Sequence, residues 1–143
     1  MAYLHTIDGS QHFRALLAED LGGTTAVTSS HQDTAKDIEK TLLIGMTGIH
    51  SATNHISVTI QHGYDVDRGG TIQTIWEDVD EDKDLVGESV SQLTTAGEFE
   101  VSYIGCHRYL RVQVQADGAT NAGNKILVAY VGRFRHTGLG EQS

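Results

Sequence analysis

The stretch Tyr103 to Val114 reads YIGCHRYLRVQV, and it carries a strand end, a glycine turn and a strongly alternating strand in one short run. Leu110, Val112 and Val114 fall on one face, and Tyr109, Arg111 and Gln113 fall on the other. A period of two marks a β-strand with one face in a core and one in water. Arg111 is assigned to the outward face beside Tyr109 and Gln113, giving a polar and aromatic surface.

The pattern repeats on both sides of this stretch. Thr41 to Thr47 (TLLIGMT) is a continuous apolar run. His55 to His62 (HISVTIQH) alternates with Ile56, Val58 and Ile60 inward, Gln73 to Val79 offers Ile75 and Trp76 on opposite faces, and Phe99, Val101 and Tyr103 alternate. Lys125 to Phe134 (KILVAYVGRF) is apolar on both faces, as expected of a central strand or one lying under a partner. The pieces His62 to Thr71, Asp80 to Gly97 and Ala116 to Asn124 are rich in Gly, Asp, Asn and Thr and read as loops. Short strands at these intervals predict an all-β fold, an antiparallel β-sandwich or jelly roll.

The N-terminal segment departs from this pattern. Ser10 to Leu21 (SQHFRALLAEDL) places Phe13, Leu16, Leu17 and Leu21 at helical spacing, with Ser10 as a cap and Gly22-Gly23 as a stop. One short helix is therefore expected within an N-terminal arm, residues 1–40, ahead of a β-sandwich domain, residues 41–143. Residues 24–37 read as loop or a loosely held edge strand. A helix this short needs a surface to lie against. Either it packs on its own sandwich, or Phe13, Leu16, Leu17 and Leu21 are apolar contacts to a partner.

Composition narrows the classes. A chain of 143 residues with 38% hydrophobic content suits one domain with a real core, and no apolar run is long enough to cross a bilayer. No basic region followed by an apolar stretch opens the chain, so no secretory signal is visible. A single cysteine, Cys106, excludes an internal disulfide framework and a Cys-based zinc cage. Proline is absent, so turns rely on the 16 glycines and on Asp, Asn and Ser. The formal net charge of −9 argues against generic nucleic-acid binding, which needs a basic surface. Acids concentrate in residues 65–100 and bases in residues 101–143, an arrangement suited to heterologous protein contacts.

No enzyme is visible in the motifs. There is no G-x-S-x-G elbow and no phosphate loop, since Gly69-Gly70 is followed by Thr71 and Ile72. Cys106 and His107 are adjacent, with no third group to orient them. None of the eight histidines has the spacing that sets two ring nitrogens on one metal, so no metal and no cofactor is expected. Asp78, Asp80, Asp82 and Asp84 alternate as calcium-loop ligands do, but Lys83 stands where an EF-hand needs glycine and Ser89 where it needs glutamate. A solvated acidic loop is the default there, and calcium binding stays open.

Three blocks, taken in order, resemble a family of small virion proteins of tailed bacteriophages. The first is HISVTIQHGYDVDRGGTIQTIWEDVDEDKDLVG (His55 to Gly87), the second VSYIGCHRYLRVQVQADG (Val101 to Gly118), and the third ILVAYVGRFRHTG (Ile126 to Gly138). Together they span roughly residues 40–138. The resemblance implies a β-sandwich or jelly-roll subunit of a phage particle, made in the host cytoplasm and carried on the capsid surface as a decoration (cement) protein. The implied partner is the major capsid protein, and the two-sided apolar strand Lys125 to Phe134 adds the expectation of further copies of the chain itself, a trimer at lattice three-fold positions. A tail, connector or baseplate component and a carbohydrate-binding host-recognition module are the alternatives. Trp76 is expected in the core, near Phe99 or Tyr103.

Overall fold

A computed structural model describes residues 11–21, 24–48, 55–117 and 125–134. The strands are β1 (Gln11–Asp20), β2 (Val27–Thr28), β3 (Gln32–Asp33), β4 (Asp37–Met46), β5 (Ile56–Arg68), β6 (Thr71–Asp78), β7 (Leu85–Gly87), β8 (Gly97–Tyr103), β9 (Tyr109–Ala116) and β10 (Lys125–Phe134). One helical turn, α1 (Glu81–Asp84), precedes β7. The first sheet runs β1-β10-β4-β8-β7 and the second β2-β9-β5-β6, with β3 also pairing to β9. Every pairing is antiparallel. The chain is an all-β sandwich, as the alternation predicts.

The core is the set of inward positions of that alternation. Leu42, Ile44 and Met46 on β4, Ile126, Val128 and Tyr130 on β10, and Val101 and Tyr103 on β8 come from the first sheet. Ile56, Val58 and Ile60 on β5 and Leu110, Val112 and Val114 on β9 face them from the second. Each fully buried aliphatic side chain stabilises the fold by about 1.5–3 kcal/mol. β10 is central, held between β1 and β4, in line with its apolar character on both faces.

The expectations for the N-terminal segment are corrected. Ser10 to Leu21 is not a helix in its described part: Gln11–Asp20 forms β1, paired along β10. The register slips between Ala15 and Leu17, a bulge that turns both Leu16 and Leu17 inward. Such a bulge sets two consecutive apolar residues on one face and imitates helical spacing. The described part of the segment read as an N-terminal arm is built into both sheets, and β4 begins at Asp37 rather than at Thr41. Of the two readings for residues 24–37, the edge strand is the one found: β2 and β3 are edge pieces on β9, where the amide and hydroxyl of Ser29 meet the carbonyl and amide of Val112.

His62 to Thr71 is likewise strand and turn rather than loop. β5 runs on to Arg68 and returns as β6 through Gly69-Gly70, whose φ values of 65° and 90° suit a two-residue hairpin turn. Its far end has few inward apolar residues, so the hydrophobic signal fades where the backbone pairing does not. The stretch Asp80 to Gly97 also holds order, in α1 and β7.

Candidate interaction face

Both sheets have an outward face, and their chemistry differs. On the second sheet the Arg111 guanidinium lies 4.1 Å from the centre of the Trp76 ring, and its Nε donates to Gln61 Oε1 at 2.8 Å. Gln61 in turn donates to Asp78 at 2.8 Å. Tyr109 and Thr74 both donate to the Asp65 carboxylate at 2.7 Å, and Arg108 forks onto Asp33. The guanidinium beside Asp33 holds its carboxyl below the usual range, chiefly through that hydrogen bond. Trp76 is half-buried here, not in the core near Phe99 or Tyr103 as expected, because β6 turns it to the outer side, where Arg111 covers it. Tyr109, Arg111 and Gln113 face outward as the alternation predicts.

The first sheet presents the opposite character. Across its strands the register sets Phe13, Val131, Thr41, Ser102 and Val86 in one row. Ala15, Ala129, Leu43 and Glu100 form the next, and Ala18, Leu127, Gly45 and Glu98 the third. Residues opposed in an antiparallel sheet share a face. Phe13 is 71% exposed, Val86 57% and Leu127 48%. A groove of about 530 Å³ lies among Phe13, Leu43, Leu127 and Ala129, with Glu98 and Glu100 on its rim.

Charge on this face is one-sided. Arg133 pairs with Glu39 at 3.2 Å, and Lys125 stands opposite Asp20 at the other end of β10. Glu98 and Glu100 pair with no basic side chain among the described residues. The β8 border is therefore acidic beside an apolar centre. Contiguous exposed apolar surface rimmed by polar groups is the physical mark of a contact site.

The four N-terminal contacts divide. Leu16, Leu17 and Leu21 pack into the chain's own core, and Phe13 alone is left on the exposed face. Val86, Leu127 and Leu43 were not anticipated as contact residues; the outward set of KILVAYVGRF was the readable signal for Leu127.

The acidic run forms a capped turn. The Asp80 carboxylate accepts from the amides of Asp82 and Lys83, and Asp84 accepts from the amide of Asp80. Among the described residues, three potential metal ligands converge elsewhere: His62, Glu77 and His107, at the edge of the sandwich by β6. His62 is buried, and desolvation first, then the nearby His107, pushes its pKa below the ordinary value. Burial pushes the Tyr103 phenol beside it up to about 12. Comparison with family models, curated proteins and solved structures returns no match to this chain.

Proposed function

We propose that this chain is a structural protein of a tailed-bacteriophage virion, a capsid decoration protein that binds and stabilises the head lattice. The observation that supports it is the exposed apolar face of the first sheet, centred on Phe13, Leu43 and Leu127. The opposite face is covered by its own hydrogen bonds and ion pairs, so it has less to gain from a partner. The resemblance of the three strand blocks to phage virion proteins supports the same reading.

The partner is the major capsid protein, presenting an apolar patch with at least one basic group against Glu98 and Glu100. Burying an apolar centre provides affinity, and the acidic border provides orientation. Self-association into a trimer would set three such faces toward one lattice point. The work of the protein is binding, not turnover, and its place is the capsid surface. A tail, connector or baseplate position would use the same kind of contact. The sugar-binding alternative is disfavoured because Arg111 already occupies the face of the single tryptophan.

Co-sedimentation with undecorated heads tests the proposal. Wild-type protein pellets with heads, and Phe13→Asp together with Leu127→Glu abolishes pelleting while the circular dichroism spectrum stays β. Retained binding by the double variant rules out this face. Cryo-EM density on the tail instead of the head moves the protein to the alternative position.

A further inference from the structure

Three side chains from three segments converge beside the β5–β6 hairpin. His62 on β5 stands directly opposite Glu77 on β6. Opposed residues on one face hold their Cβ atoms about 4.5–5.5 Å apart. His107 arrives from the connection between β8 and β9 and sets its ring edge-on to His62, with centroids 4.0 Å apart. The candidate ligand atoms of the three all lie within 4.8 Å of one another.

The surroundings orient both rings. His62 Nδ1 lies 2.8 Å from the Tyr103 hydroxyl, and that same oxygen accepts the backbone N–H of His107 at 3.1 Å. One phenol thus fixes the ring of one histidine and the backbone of the other. A Cβ on Gly105 would stand 2.5 Å from that oxygen, so glycine is what lets the connection close over it. Tyr64 stacks on the His107 ring at 5.1 Å. With Nδ1 of His62 engaged, Nε2 is the atom left for a ligand, the arrangement in which an outer partner fixes the ring of a metal-binding histidine. Asp78, Asp80, Asp84 and Lys83 line the same cavity of about 450 Å³, together with the exposed Cys106. The carboxylates of Asp78, Asp80 and Asp84 already accept hydrogen bonds, so they contribute negative potential rather than a first ligand shell.

We propose that His62, Glu77 and His107 form a binding site for one divalent transition-metal cation of zinc-like preference. Two imidazoles and one carboxylate match zinc and its first-row neighbours, whereas calcium and magnesium demand an all-oxygen shell. Ligand atoms on one tetrahedral zinc sit about 3.3 Å apart, given bonds of about 2.0–2.1 Å. Rotation of the exposed Glu77 and the half-buried His107 closes the remaining gap. The bound ion ties β5, β6 and the β8–β9 connection together. Through the Tyr103 phenol it also ties the second sheet to the first. The site stands independently of any capsid role.

The test uses the full, untagged chain, stripped with EDTA and dialysed. Isothermal titration with zinc chloride should give one site per chain. Thermal unfolding should shift upward with zinc or nickel, and not with equal calcium or magnesium, because a ligand held only by the native state raises its midpoint. Glu77→Gln at an exposed position and His107→Ala at a half-buried one should each weaken zinc at least about tenfold, the lower bound for losing even an outer partner of a metal. His31→Ala, outside the cluster, should leave the affinity unchanged. Absent binding, or zinc affinity unmoved in both cluster variants, overturns the proposal; the second result would place the metal on other histidines.

Discussion

The phenol of Tyr130 donates its hydrogen to Asp37, a buried carboxylate at the first residue of β4. The other oxygen of Asp37 lies 2.9 Å from His12 Nε2, so β1, β4 and β10 meet at one carboxylate. His12 also stacks on Phe134 at 4.6 Å. Replacing Asp37 by Ala should cost about 1–3 kcal/mol for each buried polar partner left unsatisfied. Urea unfolding of the variant should show a lower midpoint at an unchanged slope.

The same pair sets an alkaline limit. Burial first, then the hydrogen bond to Asp37 and the negative charges of Asp37 and Asp33, hold the Tyr130 phenol well above its ordinary 10.0. Above pH 10 the unfolded chain releases this proton while the folded chain keeps it, so stability falls as pH rises. Below pH 10 the contribution is complete. Tyr103, pushed up to about 12, adds to the same slope. Urea midpoints measured from pH 9 to 11.5 should therefore decline, and Tyr130→Phe should decline less steeply.

The single tryptophan reports on the second sheet. Arg111 caps Trp76 and shields it from water. Arg111→Ala should shift the folded-state fluorescence to the red and cost about 0.5–1 kcal/mol at this partly exposed site. An unmoved emission maximum would mean that the guanidinium does not cover the ring.

Stability and docking should separate by residue. Phe13→Asp, on the exposed face, should change stability by about 0.5 kcal/mol or less. Leu16→Ala or Leu17→Ala should cost about 2–5 kcal/mol, the range for opening a cavity in a packed core. Deleting residues 1–20 removes β1, with Leu16, Leu17 and His12, and should lose cooperative unfolding. A truncated chain that unfolds with the wild-type midpoint would contradict the place of β1 in the sheet.

Much of the sandwich was readable from spacing alone. β4, β5, β8, β9 and β10 each carry inward residues at period two or a continuous apolar run, and the residues assigned inward on β5 and β9 are the buried ones. Period two is set by local backbone geometry, so it needs no knowledge of the partner strand. The outward placement of Arg111 and the two-sided apolar character of β10 came from the same rule.

What needed the tertiary structure involved a break in that period or a meeting of distant segments. The bulge between Ala15 and Leu17 turned a strand into an apparent helix, because local spacing cannot distinguish two leucines on one helical face from two at a bulge. The far end of the β5–β6 hairpin has little core to face, so its polar sequence read as loop. Trp76 is large and apolar, yet the cation that covers it comes from β9. The histidines lacked any ligand spacing because His62 lies on β5 and His107 in the connection between β8 and β9, and only the pairing of β5 with β6 and β9 sets them beside Glu77. Backbone periodicity is local and is written in the sequence. Which faces and side chains end up together depends on strand order and register, which long-range packing decides.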